Sequence, residues 1–308
     1  MMKILTITLN PAFDLHYYVD IYRPYRESYA KDFECNVGGK GINISRALLV
    51  GNIESTAYVL LGKENSDTYI SSLQDEGIQA VPLLVDGRIR ENLTIHEQDL
   101  PETRISLDNF ALSPKTVDAL FNELKSSVDS ETIIAYSGHI PKGVPHEKII
   151  DFFKRLKALG AKICIDSNSF TLEDFSDLIP WLVKFNADEA DSLTLRNGHG
   201  NSRYALLYKL SELGIAHVII SDEEKDALYS GEFDCRITPP SISAVSTIGS
   251  GDCLVAGFIA AYCAGEKIEE CLKSAIAYAS ASCLRHGTLP PLKEDIEKLT
   301  PFVKVSFL

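Results

Sequence analysis

From residue 131 onward, short runs of β-branched and aliphatic residues alternate with longer stretches of helical periodicity. This alternation limits the possible folds more than any other feature. ETIIAYS (131–137), AKICIDS (161–167), WLVKFN (181–186) and AHVIIS (216–221) are each short, apolar and strand-like. Between the first two, EKIIDFFKRLKALG sets Ile149, Ile150, Phe153, Leu156 and Leu159 at helical intervals, and Gly160 follows where a helix end wants a glycine. Parallel strands need crossovers, and helical crossovers cover the sheet. The pattern therefore predicts an α/β fold: a three-layer α/β/α core around a mainly parallel sheet.

Each strand-like run ends on small or polar residues: Asn10 after the first strand, then Ser137-Gly138, Asp166 to Asn168, Asn186, and Ser221-Asp222. Turn residues end strands everywhere, but in open parallel sheets ligands bind at the carboxyl ends of strands. Two regions break the rhythm. Residues 11–36 are rich in Tyr and Phe without helical period, and residues 88–110 alternate polar and apolar around Pro101-Glu102, as a hairpin does. Both are expected to form a small antiparallel β lid over the strand ends, where it would keep water from a reactive phosphate.

Composition narrows the partners. The 308 residues are 45% hydrophobic and 24% charged, a globular balance, and suffice for one large domain spanning 1–308. A net charge of -13 argues against nonspecific nucleic-acid or anionic-membrane binding, while local cations can still hold a phosphorylated small molecule. The seven cysteines include no Cys-x-x-Cys pair, so small buried thiols in a reducing compartment are expected rather than a zinc site. MMKILTITLN reads as a strand without a signal-peptide cleavage pattern, and the apolar run Cys253–Ala264 falls short of the ~20 residues that span a bilayer. A cytoplasmic protein is the expectation.

Four motifs carry chemistry. In NVGGKGINISRAL (36–48), Gly38, Gly39 and Gly41 allow close backbone approach to a ligand at a helix start, and Lys40 adds a charge. The same glycines could simply form a turn; Gly41 after Lys40 excludes a Walker A loop. In TIGSGDCLVAGF (247–258), Gly249, Ser250 and Gly251 could form an anion nest before a helix with Leu254, Val255, Phe258, Ile259 and Tyr262 on its buried side. Asp252 there could be a helix cap or a base. In KFNADEADSL (184–193), Asn186 and Glu189 could help hold Mg²⁺, or form a capping box. Arg90 and Arg104, in the expected hairpin, could grip a phosphate or remain solvated. The histidines show no ligand spacing, and His139 alone falls near a strand end.

In this order, TLNPAFD (8–14), GGKGIN (38–43), Arg90 with Asn92, SGHIP (137–141), NADE (186–189) and GSGD (249–252) resemble the PfkB (ribokinase-like) carbohydrate kinases, in the 1-phosphofructokinase and tagatose-6-phosphate kinase branch. The resemblance implies transfer of the ATP γ-phosphate to a hydroxyl of a ketohexose phosphate, either fructose 1-phosphate or tagatose 6-phosphate. It implies Asp252 as base and the N–H groups of Gly249, Ser250 and Gly251 as anion hole. Asp14, Gly38, Gly39, Lys40, Asn43, Arg90, Arg104, Ser137 and Gly138 would bind the sugar phosphate. Lys184, Asn186, Ser221, Gly249 and Gly251 would bind ATP, with Asn186 and Glu189 organising Mg²⁺. The lid could also seat a second copy in a homodimer.

Three residues or segments depart from that pattern. SDEEKDAL (221–228) replaces a glycine-rich turn and puts four acidic residues beside the expected ATP phosphates. Cys253 stands where Ser is usual, and Phe185 where Pro is common. The acidic turn motivates a second reading, a noncatalytic sugar-phosphate or nucleotide sensor on the same fold. A nucleoside kinase would leave Lys40, Arg90 and Arg104 without a substrate phosphate.

Overall fold

The structure, a computed structural model, describes residues 2–98, 100–196 and 203–308. In chain order the strands are β1 (Lys3–Thr8), β2 (Ala12–Val19), β3 (Ala30–Gly38), β4 (Thr56–Gly62), β5 (Gln79–Val85), β6 (Arg90–Glu97), β7 (Thr103–Ser106), β8 (Thr132–Ser137), β9 (Lys162–Asp166), β10 (Leu182–Asn186), β11 (His217–Ser221), β12 (Ala227–Ser230), β13 (Asp234–Thr238) and β14 (Lys304–Phe307). The α-helices are α1 (Lys40–Val50), α2 (Ser66–Asp75), α3 (Pro114–Leu124), α4 (His146–Ala158), α5 (Leu172–Leu178), α6 (Ala187–Arg196), α7 (Arg203–Glu212), α8 (Ser250–Cys263), α9 (Ile268–Ser282) and α10 (Lys293–Leu299).

A 10-stranded sheet runs in the order β14-β13-β12-β11-β10-β9-β8-β1-β4-β5. It is parallel from β5 to β11 and antiparallel from β11 to β14. Successive side chains of a strand point to opposite faces, so a strand covered on both sides reads as continuously apolar. In β8, Ile134 and Tyr136 enter a core shared with Val117 of α3, Phe153 of α4 and Phe175 of α5. Their neighbours Ile133 and Ala135 enter a second core with Ile44 of α1, Phe258 of α8 and Leu272 of α9. These two cores make the expected three layers.

Local signals hold. Helix α4 buries Ile149, Ile150, Phe153 and Leu156, and Gly160 beyond its end takes φ +104° and donates its N–H to the Lys157 carbonyl at 2.8 Å. Helix α8 is buried on all sides from Asp252 to Ala260, in keeping with its nearly unbroken apolar run. It packs between α1 and α9, so no face of that stretch meets water. Phe185 is an interior residue, edge-on to Phe175 with ring centroids 5.7 Å apart, which accounts for an aromatic where Pro is common. All cysteines are free thiols; Cys164, Cys235, Cys253 and Cys271 are buried, whereas Cys35 lies exposed on the lid.

The lid is a 4-stranded sheet in the order β3-β2-β6-β7. Its outer pairs are antiparallel as expected, and its central pair, β2 with β6, runs parallel. The reason is topological: the two hairpins leave the core from different strands and meet side by side. Their register sets Asn36, Asp14, Asn92 and Ser106 in one row across all four strands. Among the described residues, no helix is long and apolar enough to cross a membrane.

Candidate active site

Two helix starts meet at the carboxyl edge of the large sheet. Helix α1 has Gly39 as its N-cap, and its first backbone bond runs from Asn43 N–H to the Gly39 carbonyl at 2.9 Å. Helix α8 has Gly249 as N-cap, at φ +80°, and its first bond runs from Cys253 to Gly249 at 3.1 Å. The N–H groups of Gly249, Gly251 and Asp252 find no acceptor among the described residues. Such orphan donors, with the helix dipole behind them, suit an anion. Ser250 differs from expectation: its N–H turns back to the Thr247 carbonyl at 3.3 Å, and its hydroxyl to the same oxygen at 2.9 Å. That closes the turn and leaves the two glycine N–H groups as the free donors beside Asp252.

Asp252 is not a cap. It occupies the third position of α8, with 3% of its surface exposed, and turns its carboxylate away from its own helix. Oδ2 accepts from Asn43 Nδ2 at 2.9 Å, and Oδ1 lies 3.1 Å from the Ser137 hydroxyl. Burial, reinforced by the nearby Asp166 charge, lifts its pKa to about 6, against the opposing pull of Lys40, Asn43 and Lys184. A carboxylate tuned there is ionised at neutral pH yet basic enough to take a proton.

Asp166, at the end of β9, is the residue that motif reading missed. It is wholly buried, with Lys184 Nζ at 3.2 Å, Lys40 Nζ at 3.5 Å and the Ser137 hydroxyl at 2.7 Å. Burial opposes its charge, but Lys184, Lys40 and the hydrogen bonds overcome that and hold it well below the usual carboxylate range. Lys40 is in turn raised, first by Asp166, against burial, with further help from Asp252 and Glu189. Lys184 is not the open cation expected beside ATP. It is buried, and a Cβ on Gly251 would come within 2.5 Å of its Nζ, so its charge lies directly beneath the glycine turn.

The lid closes the other side. Asp14 Oδ1 accepts from Asn92 Nδ2 at 2.9 Å and from Arg104 Nη2 at 3.2 Å. Gly38 leaves room for Asp14, since a Cβ there would sit 2.4 Å from Asp14 Oδ2 and push the carboxylate aside. Arg90 is half-buried, which lowers its pKa, and its buried Nε has no hydrogen-bond partner. Thr8 Oγ1 and Asn92 Oδ1 are likewise buried and unpartnered. These three atoms, all lining the lid–sheet junction, are the unmatched buried polar side-chain atoms of the described residues, as expected where a ligand completes the bonding. Gly138 follows Ser137 at φ +114°, with Lys40 passing alongside it. The His139 side chain is exposed, and its carbonyl accepts from Asn10 at 2.7 Å and Tyr136 at 2.9 Å.

Asn186 and Glu189 form a reciprocal capping box: Glu189 N–H donates to Asn186 Oδ1 at 2.8 Å and Asn186 N–H to Glu189 Oε2 at 2.9 Å. Ser221 pairs with Asn186 across β10 and β11. In the acidic turn beyond Ser221, Asp222 alone of the four acidic residues is paired with cations among the described residues. Asp222 holds Arg203 at 2.5 Å and Lys225 at 3.5 Å, and Asp226 accepts from Thr238 at 2.7 Å.

A three-layer core carrying a β lid over its strand ends is the architecture of the ribokinase-like sugar kinases. The pfkB family carbohydrate kinase model matches residues 7–295, and the chain belongs to that family, an ATP-dependent carbohydrate kinase. It is 32% identical over 282 residues to 1-phosphofructokinase of Escherichia coli (strain K12), covering 90% of each chain. It is 28% identical over 313 residues to 1-phosphofructokinase of Bacillus subtilis (strain 168), covering 99% of this chain and 100% of that one. In fold it is similar to phosphofructokinase-2 from Escherichia coli in complex with potassium, with a TM-score of 0.88 at 24% identity over 98% and 99% of the two chains. Ribokinase from Thermotoga maritima gives 0.79 at 20% identity over 97% and 99%.

Proposed function

We propose that this sugar-phosphate kinase transfers the γ-phosphate of ATP to O6 of fructose 1-phosphate, giving the 1,6-bisphosphate. The observation that supports the chemistry best is Asp252: a buried carboxylate with a raised pKa, held by Asn43, 3.1 Å from the Ser137 hydroxyl and beside the orphan N–H groups of Gly249 and Gly251. The substrate assignment rests on the relatives named 1-phosphofructokinase, at 24–32% identity. Tagatose 6-phosphate, phosphorylated at O1, yields the same class of product and is the second candidate.

In this reading Asp252 orients and deprotonates the acceptor hydroxyl. Its oxygen attacks the γ-phosphorus, the bond to the bridging oxygen breaks, and the electron pair leaves with ADP. The N–H groups of Gly249 and Gly251 face the developing charge on the phosphoryl oxygens, with Lys184 beneath them. Asp14 binds sugar hydroxyls. Arg90, Arg104, Lys40 and Asn43, with the Gly38-Gly39 backbone, Ser137 and Gly138, surround the sugar phosphate. Asn186, Ser221 and the glycine turn receive the nucleotide.

Mg²⁺ prefers carboxylate and phosphate oxygens and keeps several waters. Among the described residues no group of three or more His, Cys, Asp or Glu is placed to hold a metal. Asn186 Oδ1 and Glu189 Oε2 are each engaged in the capping box, which leaves Glu189 Oε1 as the carboxylate oxygen that could face the water shell of an ion held by ATP phosphates. When bound, the ion neutralises phosphate charge during transfer.

The lid's other face carries Leu15, Tyr17, Phe33, Leu93, Ile95 and Ile105 in register, with Phe33 and Ile105 exposed. A second copy seated there would cover them, and sedimentation velocity with Ile105→Lys tests that homodimer. The substrate assignment is tested by ADP release with ATP, Mg²⁺ and, separately, fructose 1-phosphate, tagatose 6-phosphate and fructose 6-phosphate. The highest kcat/KM is expected with fructose 1-phosphate. A higher value with either 6-phosphate would reassign the substrate, and no release with any of the three would remove the kinase reading in favour of a binding protein.

A further inference from the structure

The Ser137 hydroxyl lies between two carboxylates, 2.7 Å from Asp166 Oδ2 and 3.1 Å from Asp252 Oδ1. A hydroxyl carries one proton and cannot donate to both. Asp166 is permanently ionised between Lys184 and Lys40 and makes the shorter contact. The Ser137 proton is therefore committed to Asp166, and a lone pair faces Asp252 Oδ1. That lone pair repels an ionised Asp252 and accepts a hydrogen bond from a protonated one. The rest of the shell does not fill this role: Asn43 donates to Oδ2, and Lys40 and Lys184 act on Asp252 as positive charges.

We propose that Ser137, oriented by Asp166, is the acceptor that holds the proton Asp252 removes from the sugar hydroxyl. This rests on the reading of Asp252 as base. During transfer the acceptor O–H bond breaks as its oxygen bonds the γ-phosphorus. The proton moves to Asp252, where it is shared with Ser137 Oγ until product release returns it to solvent. Ser137 donates to Asp166 throughout and gains or loses no proton. Asp166 is a positioning residue, acting on Asp252 only through Ser137 and through its charge.

Every charged or titratable group facing Asp252 has a stated direction of influence. Lys40 from α1 and Lys184 from β10 favour its ionised form, and Asp166 from β9 favours its protonated form. Removing the Ser137 acceptor takes away one hydrogen bond made only by protonated Asp252, worth about tenfold in its dissociation constant or about one pH unit. The test is the pH dependence of kcat/KM for wild type, Ser137→Ala and Ser137→Thr, together with a ¹³C carboxyl titration of Asp252 in the protein without substrates. The acid limb and the titration midpoint are expected to move down together by about one unit in Ser137→Ala and to return toward wild type in Ser137→Thr, which restores a hydroxyl. Asp166→Asn, tested the same way, also moves both down, because a neutral side chain lacks the repelling charge and can donate to Ser137. A Ser137→Ala titration midpoint that stays in place or rises overturns the proposal, since the hydroxyl would then donate to Asp252. The carboxyl titration needs no turnover. If Asp252→Asn remains fully active, the base assignment fails whatever the midpoints do, so the two failures are separable.

Discussion

At the residue scale, Asp252 shows how position changes a side chain's chemistry. An aspartate in the first turn of a helix commonly caps it, yet this one turns across to Asn43 and Ser137, contributed by different elements. Its raised pKa of about 6 predicts a pH profile with a definite sign: the base must be ionised, so kcat/KM should be level near neutrality and fall tenfold per pH unit below about pH 6. A profile level down to pH 4.5 would contradict that environment. Arg90 makes a second prediction. Its buried, unpartnered Nε waits for an acceptor, and losing a charge-assisted bond costs about 1.5–3 kcal/mol, so Arg90→Met should raise KM for the sugar phosphate by about 10–100-fold with a smaller effect on kcat. Steady-state kinetics separate the two parameters. Local patterns singled out Lys40, Arg90 and Asp252 as candidates, and the family resemblance added Asn43. Asp166 was visible only as one of several polar strand ends, and its role stayed unread because its ionic partners stand 18 and 126 positions away.

At the scale of elements, β1, the parallel strands β8 to β11, the two lid regions and α4 were legible from periodicity, since burial on one or both faces dictates which positions are apolar, whereas β4, β5 and the antiparallel strands β12 to β14 were not read from it. The parallel pairing of β2 with β6 was not legible. Alternation identifies a strand but not its neighbour, and Asp14 and Asn92 meet across 78 positions. The structural price of the glycine turn is also visible only in three dimensions, where Lys184 Nζ fills the space a Gly251 side chain would need. Gly251→Ala should therefore displace Lys184 and lower kcat by about 10²-fold, the order seen when one preorganised donor is lost, and lower thermal stability as well, because Asp166 loses a buried ionic partner. A variant with wild-type kcat would place the anion hole elsewhere. Phe153 isolates the opposite behaviour. It is fully buried between Tyr136 and Phe170, well away from Asp252 in the layered fold, so Phe153→Ala should cost about 3–5 kcal/mol in denaturant unfolding while the folded fraction keeps its kinetics.

At the scale of the whole molecule, an acidic protein binds two anionic substrates through a few placed charges. The net charge of -13 is spread over the surface, and salt screens it within about 8 Å at physiological ionic strength. Inside the cleft, Lys40 and Lys184 face Asp166 and Arg104 faces Asp14, so anion binding there falls to placed donors, Arg90 and two helix starts among them, rather than to net charge. The acidic turn after β11, which motivated a noncatalytic reading, spends its Asp222 charge on Arg203 and Lys225. The sheet supplies the strand ends that carry Ser137 and Asp166, and the lid supplies the row Asn36, Asp14, Asn92 and Ser106. The most direct measurement is turnover of fructose 1-phosphate by Asp252→Asn beside sugar-phosphate affinity measured calorimetrically on the same sample. A fall in kcat of about 10²–10⁴-fold with Kd changed less than threefold is the expected result. Near-wild-type kcat in that variant would contradict Asp252 as the group that deprotonates the sugar.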